Sequence, residues 1–294
     1  MMVKEFLNYL RFERNYSEKT IKSYGDNLQE FESYFKSLDT HLSWESVDSD
    51  VIRDWMESMM DKGNIASSIN TRLSALRSFF RFALSRNLVD SDPAHCVVGP
   101  KREKPLPQFL KDSEMQTLLD EKMWNLDKYE DVRARTILLI FYETGVRVAE
   151  LAGLNDELVD LETCQLKVTG KRNRQRVIPF GTELRDAIKA YMAKRSESVA
   201  AQSHALMLTD KGLRMSTGQI RTVVQKQLSR VCTLKKRSPH ILRHTFATTM
   251  LNHGAGIESV KKLLGHQKLA TTEIYTHTTF EQLKKVYQSA HPRA

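Results

Sequence analysis

Apolar residues recur at steps of three and four positions through the first third of the chain, which predicts four amphipathic helices. Ser17 is a suitable N-cap for the second helix, and Gly63 is a suitable end for the third. We therefore expect a helical domain over residues 1–95. The apolar positions of the four helices are Val3, Phe6, Leu7 and Leu10; Ile21, Tyr24, Leu28, Phe31 and Phe35; Val51, Trp55 and Met59; and Ile69, Leu73, Leu76, Phe80 and Ala83.

A proline-rich, charged segment interrupts this pattern. The stretch VVGPKREKPLPQFL, residues 97–110, holds three prolines and one glycine, which no regular helix accommodates. It predicts a linker over residues 96–110. Because Lys101, Arg102 and Lys104 make the segment basic, we expect it to lie along a phosphate backbone.

The remaining residues, 111–294, predict a second, mixed domain. Ser113 followed by Gln116 resembles a capping box, and a buried helix is expected at about 132–143. Further helices are expected at about 183–195, 217–231, 241–252, 257–264 and 281–289, with a short strand at 205–208. The fold class predicted for the whole chain is mainly α with a small antiparallel β-sheet.

A hairpin is predicted in the middle of this second domain. Leu166 and Val168 alternate with polar residues before the segment GKRNRQ, and Val177 and Phe180 are the apolar positions after it. The glycine and the cluster of polar residues predict the tip of the hairpin.

Composition indicates a polyanionic partner. The 294 residues carry 45 Lys and Arg against 36 Asp and Glu, a net charge of +9, and 40% of them are hydrophobic, enough for a real core. The alternative is an ordinary basic protein without such a partner. Three cysteines far apart in sequence, Cys96, Cys164 and Cys232, favour a reducing compartment. The longest apolar run, residues 137–142, is too short to cross a bilayer, and the N-terminus lacks a signal-peptide core, so we expect a soluble cytoplasmic protein.

Six polar residues in the second domain together suit phosphoryl transfer to a tyrosine. Guanidinium groups grip phosphate oxygens, a histidine accepts or donates a proton, and a lysine gives a proton to a leaving oxygen. A tyrosine whose pKa is lowered by neighbouring cations acts as the nucleophile. The six candidates, with their sequence contexts, are Arg147 in TGVRVAEL, Lys171 in TGKRNRQRV, His240 and Arg243 in PHILRHTF, His266 in LLGHQ and Tyr275 in TTEIYTH.

Each of these residues has a simpler interpretation when it is taken alone. Arg147 near Glu150 suits a salt bridge, and His266 after a glycine suits a cap. Lys171 stands among Arg172, Arg174 and Arg176, a composition typical of a solvated turn. Tyr275 beside Ile274 suits a core position. The joint occurrence of all six carries the catalytic interpretation.

A zinc site is the competing interpretation of the histidines. His240 and His244 are four residues apart, as in HExxH, and His253 and His266 could complete a site, but residue 241 is Ile where that motif has its general base. The chain also lacks a GxxxxGK[ST] run and the paired carboxylates of a two-metal nuclease. We therefore predict neither a metal nor a nucleotide cofactor.

The chain resembles the tyrosine recombinase (phage integrase) family, and its Xer-type members in particular. The segments TGVRVAELAGL, VTGKRNRQRVIP, HILRHTFATTMLNHGAGIESVKKLLGH and TTEIYTH are similar to the catalytic boxes of that family, in order, and HPRA resembles an Xer-type end. The resemblance implies an N-terminal core-binding domain and a catalytic domain that close on DNA as a C-shaped clamp. It also implies catalytic roles for the six candidates.

The resemblance further implies the reaction and its partners. Tyr275 would form a 3′-phosphotyrosyl bond without ATP or metal, inside a tetramer that holds two duplexes. A tail helix with apolar Phe280, Leu283, Val286 and Tyr287 would be exchanged between protomers, or else pack in its own chain. The expected role is resolution of chromosome dimers at a dif-like site during segregation and cell division; the family resemblance, the chain length and the absence of an arm-binding domain before residue 1 favour it.

Several alternatives stay open at this point. The chain could be an integrase or transposase of a mobile element, a type IB topoisomerase, or a DNA-binding protein that no longer cleaves. Whether it works with a paralogous recombinase, and whether a DNA translocase activates it, is also open. The candidates for contacts with DNA are Arg72, Arg77, Lys101, Arg102, Arg172, Arg174, Arg221 and Lys226, of which the first two share a helix with small polar residues suited to base edges and phosphates.

Overall fold

The computed structural model describes residues 2–102, 108–170, 174–234, 237–265 and 277–293, with the side chains of the last range described from residue 283 onward. The chain divides into two compact units, Met1–Pro105 and Leu106–Ala294. Each unit has its own hydrophobic core. The predicted fold class is confirmed: the described residues are mostly helical, with one small antiparallel sheet.

The first unit is a bundle of four helices. They are α1 (Met2–Asn8), which continues into a π-helical turn (Tyr9–Glu13), α2 (Glu18–Leu38), α3 (Ser49–Asp61) and α4 (Ala66–Ser85). As predicted, the Ser17 hydroxyl caps α2 by accepting a hydrogen bond from the backbone N–H of Thr20 at 3.3 Å. All five apolar positions predicted for α4 are buried, so its periodicity defines the face that packs into the bundle.

The second unit is built around α6 (Tyr129–Thr144), nearly all of whose side chains are buried. The other helices pack around it. They are α5 (Asp112–Leu119), α7 (Val148–Ala152), α8 (Thr182–Ser198), α9 (Thr217–Leu228), α10 (Pro239–Asn252), α11 (Ile257–Leu264) and α12 (His277–Ala290). Short 3₁₀ turns occur at Glu121–Met123 and Asp156–Leu158.

The sheet has three antiparallel strands in the order β1 (Val159–Asp160), β2 (Gln165–Thr169) and β3 (Gln175–Pro179). The β2–β3 hairpin was predicted, whereas β1 was not. In the observed register Leu166 pairs with Ile178 and Val168 pairs with Arg176. Since residues that pair across strands share a face, Arg176 points inward, and Val177, expected to be an inward apolar position, is 36% exposed.

Two other local predictions were wrong. The expected strand at 205–208 forms only two isolated bridges, Asn155 with Ala205 and Leu208 with Arg214. The expected cap at Ser113 lies inside the first turn of α5, since the N-cap position belongs to Lys111. There Glu114 Oε2 accepts a hydrogen bond from the Lys111 backbone N–H at 2.8 Å. The long carboxylate side chain supplies this half of the capping box without a serine.

The last helix packs against its own chain in this single-chain structure. Leu283, Tyr287 and Ala290 of α12 are buried in the core of the second unit. Exchange of this helix between protomers therefore stays a prediction about the assembled state. None of the helices in the described part of the chain is both long and apolar enough to cross a membrane.

Candidate active site

Three successive carbonyls at the C-terminal end of α11 each accept a hydrogen bond from a different arginine. Arg176 Nε donates to Leu263 O at 2.9 Å, Arg243 Nη2 to Leu264 O at 2.6 Å, and Arg147 Nη2 to Gly265 O at 3.1 Å. The last carbonyls of a helix lack intrahelical partners and carry partial negative charge, which suits cationic donors. The end of α11 thereby gathers arginines from three elements.

Arg147 occupies the N-cap position of α7, just after the left-handed Gly145 that ends α6. Glu150 holds it twice: Oε2 accepts from the Arg147 backbone N–H at 2.7 Å, and Oε1 accepts from Nη1 at 2.9 Å. The Arg147 side chain is nevertheless 34% exposed. A guanidinium that is anchored but still accessible can bind an incoming anion without losing its position.

Arg243 comes from α10 and is buried. Its Nη1 donates to the carbonyl of Gly145, so this arginine joins α10 to the end of α6 as well as to α11. Burial, and then the charges of Arg147 and Arg176, lower the pKa of Arg243 to about 9. The group is therefore still protonated at neutral pH, in surroundings where a bound anion would relieve the excess positive charge.

His240 lies one turn before Arg243 on α10, and Pro239 begins the helix. Its ring lies 4.5 Å from the ring of His244, measured between centroids. Partial burial, followed by the nearby charges of His244, Arg243 and Arg147, lowers the pKa of His240. The imidazole is therefore neutral at pH 7 and able to accept a proton.

Glu150 is a carboxylate among these cations. Burial alone would raise the pKa of Glu150, but the hydrogen bonds and charge of Arg176, and then the bonds of Arg147, lower it below the ordinary value. The side chain is 2% exposed. A permanently charged Glu150 offsets part of the repulsion between the arginines and fixes two of them.

Sequence reasoning missed Arg176, which was assigned to a solvated turn. Its side chain is 8% exposed and forms a bidentate ion pair with Glu150, with distances of 2.7 and 2.9 Å. The signal that could have found it is strand alternation. Counting back by two from the apolar Ile178 gives Arg176, on the same face as Val168.

Four predicted site residues lie outside the described residues: Lys171, Arg172, His266 and Tyr275. Described residues directly precede two of them, Lys171 and His266. Gly170 N–H donates to Arg174 O at 2.7 Å, closing the hairpin just before Lys171, and Gly265 ends α11 in a left-handed conformation just before His266. The structure therefore brings together Arg147, His240 and Arg243 among the six candidates.

The basic residues expected to contact DNA fall into two groups. Arg72 and Arg77 are engaged within the first unit. Arg72 pairs with Glu30 at 2.8 Å, and Arg77 donates to the carbonyls of Ala94 and Val97, holding that segment against α4. Their contact with DNA stays a prediction. The candidates with exposed positions in their own units are Lys101, Arg102, Arg174, Arg221 and Lys226.

Three of the histidines weighed as zinc ligands, His240, His244 and His253, lie among the described residues and have other partners. His253 Nδ1 donates to the carbonyl of Thr249 at 2.8 Å, and His240 packs edge-on against His244. Within the described ranges, no group of three or more His, Cys, Asp or Glu residues is arranged to hold a metal ion.

Comparison with known proteins agrees with this arrangement. Residues 108–282 match the phage integrase family, and residues 3–87 match the SAM-like N-terminal domain of phage integrases. Over 302 aligned residues the chain is 37% identical to tyrosine recombinase XerC of Pelotomaculum thermopropionicum, covering 99% of this chain and 98% of that protein. The chain belongs to the phage integrase family of tyrosine recombinases.

Solved structures show that the fold is shared within this family. The integrase of the Tn1549 transposon in complex with transposon right-end DNA superposes with a TM-score of 0.75 at 18% identity, covering 97% of this chain and 98% of that one. The XerH recombinase bound to a palindromic difH substrate superposes with a TM-score of 0.72 at 20% identity, covering 96% and 83%. Because a transposon integrase and an Xer recombinase fit comparably, the fold does not separate those two roles.

Membership of the family establishes the class of reaction. Tyrosine recombinases cut and rejoin DNA at specific sites, so the chain is a DNA-cleaving and DNA-rejoining enzyme whose partner is DNA. The net charge of +9 is in keeping with a polyanionic partner.

Proposed function

We propose that Arg147, Lys171, His240, Arg243, His266 and Tyr275 form the active site of a site-specific recombinase of the Xer type. The observation that carries this proposal is the convergence of Arg147 and Arg243 on the carbonyls of Gly265 and Leu264. Two guanidiniums fixed side by side suit a phosphodiester with two non-bridging oxygens. His266 follows Gly265 directly in the sequence, so the segment whose carbonyls bind both arginines also carries this histidine.

The proposed reaction assigns one role to each of the six side chains. The Tyr275 oxygen attacks the phosphorus and forms a 3′-phosphotyrosyl ester, while the bond from phosphorus to the 5′-oxygen breaks. Arg147, Arg243 and His266 stabilise the charge on the non-bridging oxygens in the transition state. His240, whose pKa is lowered, accepts the phenolic proton, and Lys171 gives a proton to the departing 5′-oxygen.

The ester conserves the energy of the broken bond. A free 5′-hydroxyl from a partner duplex attacks the same phosphorus, releases Tyr275 and completes strand exchange, so the proposed cycle consumes neither ATP nor a metal ion. Two rounds of exchange pass through a Holliday junction in a tetramer. We assign core binding to residues 1–95, a DNA-following linker to 96–110 and catalysis to 111–294, with α12 exchanged between protomers.

The biological role we favour is resolution of chromosome dimers at a dif-like site, in the cytoplasm, during segregation and cell division. The support is identity of 37% to an XerC protein over nearly the whole of both chains. Partnership with a paralogous recombinase and activation by a DNA translocase belong to this proposal. An integrase of a mobile element would use the same chemistry, and its preference for an element end over a dif-like site would identify it.

The test uses a nicked duplex that carries a dif-like site and loses its short 5′-hydroxyl fragment after cleavage. Incubated with EDTA, the wild-type protein should form a covalent adduct that survives a denaturing gel, and Tyr275→Phe should not. The same duplex with a scrambled site controls for specificity. Tight binding without an adduct, even when a paralogous recombinase or a DNA translocase is added, would favour a non-cleaving DNA-binding protein. Equal yields of adduct on the dif-like and the scrambled duplex would favour a topoisomerase.

A further inference from the structure

Arg176 is a buried arginine that the proposed reaction does not use, and it lies among the residues that do. It sits on β3 with a side chain that is only 8% exposed. Its Nη1 and Nη2 donate to the two oxygens of Glu150 at 2.7 and 2.9 Å, and its Nε donates to Leu263 O at 2.9 Å. A guanidinium buried and bonded in this way is not presented to a DNA phosphate.

The ion pair reaches Arg147 through Glu150. The two carboxylate oxygens that accept from Arg176 also accept from the Arg147 backbone N–H and from its Nη1. A bidentate arginine fixes both the distance and the plane of a carboxylate. The orientation of Glu150, and with it that of Arg147, therefore depends on Arg176.

The same guanidinium packs against the end of α11. A Cβ built on Gly265 would lie 3.2 Å from Arg176 Nη1 and 3.3 Å from its Cζ, so the side chain covers this glycine closely. Together with the bond to Leu263 O, this contact fixes the end of α11 at Gly265. His266 is the next residue in the sequence.

The ion pair also lies beneath the start of the hairpin tip. A Cβ on Gly170 would lie 3.3 Å from Glu150 Oε1 and 3.8 Å from Arg176 Nη1. Gly170 in turn donates to Arg174 O across the hairpin at 2.7 Å. Lys171 is the residue that follows Gly170, so a second catalytic candidate is bonded directly to a residue that lies beside this pair.

We propose that Arg176 is a positioning residue for strand cleavage. Through its ion pair with Glu150 it fixes the relative positions of three parts of the site: Arg147, the hairpin that carries Lys171, and the end of α11 before His266. It does this without touching DNA. This inference rests on the proposed function, since it assigns a role toward that set of catalytic residues.

Lysine is a discriminating substitution at this position. It keeps the positive charge that Glu150 requires, but a single ammonium cannot bond both carboxylate oxygens in one plane and also reach Leu263 O as the forked guanidinium does. The expected consequence is a small displacement of the catalytic groups. Displacements of about 1 Å cost up to about 100-fold in rate, so we expect Arg176→Lys to cleave about 10- to 100-fold more slowly.

The experiment separates chemistry from binding and from folding. Single-turnover adduct formation on the nicked duplex, with saturating enzyme, gives a rate constant and a final yield, and titration of an intact duplex gives Kd. For Arg176→Lys we expect the lower rate constant, the wild-type yield, and a Kd within about twofold of wild type, because the residue does not touch DNA.

The chain offers a closely matched control in Arg195. This arginine is 11% exposed, pairs with both oxygens of Asp156, and donates to the carbonyls of Ala205 and Leu206, none of which belongs to the proposed site. Arg195→Lys therefore imposes the same chemical change on a partly buried ion pair elsewhere, in which Asp156 is 33% exposed. We expect it to keep the wild-type rate constant.

A second variant keeps the inference testable if Arg176→Lys folds poorly. Glu150→Asp retains the charge and shortens the reach, so it should lower the rate constant in the same way. Because the two residues act as one unit, the double variant should be slower than the worse single variant by much less than the product of the two effects.

Three results would overturn the inference: an Arg176→Lys rate constant equal to that of Arg195→Lys, a lower yield with an unchanged rate constant, or multiplicative effects in the double variant. The first two would assign Arg176 to structure alone. A wild-type protein that forms no Tyr275-dependent adduct under any partner condition would instead remove the proposed function, and this inference with it.

Discussion

The hydroxyl of Tyr287 donates a hydrogen bond to Oε2 of Glu143 at 3.2 Å and so joins α12 to the buried helix α6. The same oxygen accepts from the Gly181 backbone N–H at 2.9 Å, whereas Oε1 is buried without a hydrogen-bond partner among the described residues. The Tyr287 ring also stacks on His291, with centroids 5.1 Å apart. The contact between α12 and α6 therefore brings the side chains of Glu143 and His291, besides Tyr287 itself, into surroundings that disfavour charge.

These two groups make the stability of the second unit depend on pH in opposite directions. Burial, opposed by the bond from Gly181, raises the pKa of Glu143 to about 8, and burial lowers the pKa of His291 to about 4. The stabilising contribution of Glu143 is complete below its ordinary pKa and is lost as pH rises through 8. That of His291 is complete above its ordinary pKa and is lost as pH falls through 4.

The first prediction concerns Glu143→Gln, which removes the charge while keeping the shape. Between about pH 6.5 and 8 only Glu143 of the two changes protonation, so wild type should lose stability there and the variant should not. The midpoint of urea unfolding, measured for both proteins at pH 6.5 and pH 8.5, checks this. Glu162→Gln, at an exposed carboxylate, is the control; parallel pH curves for wild type and Glu143→Gln would contradict the assignment.

The second prediction concerns Gly145, whose φ of 57° is left-handed and whose carbonyl accepts from Arg243. A Cβ there would lie 2.6 Å from Phe246 Cδ1 and 2.8 Å from Leu264 Cδ2. Conformational strain and overpacking should together cost Gly145→Ala about 2–4 kcal/mol of unfolding free energy. The rate of adduct formation should also fall, because a displaced Gly145 carbonyl no longer holds the guanidinium of Arg243 in place.

Gly254 provides the matched control for that substitution. Its φ is 85°, equally left-handed, but a Cβ would meet nothing within 4 Å. Gly254→Ala should therefore lose only the strain contribution, about 1–2 kcal/mol, and cleave at the wild-type rate. Denaturant unfolding and single-turnover cleavage measure both quantities. Equal losses of stability in the two variants would mean that Phe246 and Leu264 move aside without cost.

The third prediction concerns Lys171 as the proton donor to the leaving 5′-oxygen. A 5′-bridging sulfur is a better leaving group that needs no proton, so it should restore cleavage by Lys171→Ala. Rates with oxygen and sulfur substrates, measured in single turnover, make the comparison, and Arg243→Ala is the control that sulfur should not rescue. Equal defects of Lys171→Ala on both substrates would assign the lysine to phosphate binding instead.

The fourth prediction concerns the exposed face of α9, where Arg221 and Lys226 lie. If Arg221 contacts a phosphate, Arg221→Ala should weaken binding and reduce the slope of log K against log salt concentration by about one unit. Arg230 is a suitable control because its guanidinium already donates to Gln227 and to the Met123 carbonyl. A wild-type slope in Arg221→Ala would remove this residue from the DNA interface.

The helices were predictable because their periodicity is strong and local. The expected helix at 257–264 is α11 with the same bounds, and Ser17 caps α2 as its position suggested. Hydrophobic spacing and capping residues act within one or two turns, so a single sequence is enough to find them. The grouping of Arg147, His240 and Arg243 was predicted from residue types together with the family resemblance.

The details that sequence reasoning missed depend on distant partners. Arg176 contacts Glu150 and Leu263, which are 26 and 87 positions away in the sequence. The residues next to Arg176 do not predict these contacts. Arg77 donates to carbonyls of the segment that follows α4, which its sequence neighbours do not indicate, and its contact with DNA stays a prediction. A buried arginine satisfies its donors wherever the fold brings acceptors, so such roles require the tertiary structure.

The position of the covalent bond tests the proposed chemistry most directly. The chain has nine tyrosines, and burial raises the pKa of Tyr142, Tyr191 and Tyr287, which makes these three poor nucleophiles. The adduct formed on the nicked duplex would be digested with protease and nuclease and the DNA-bearing peptide sequenced by mass spectrometry. We predict a 3′-phosphotyrosyl bond on Tyr275 and no adduct from Tyr275→Phe. A bond to any other residue, or to the 5′-phosphate, would contradict the proposed active site.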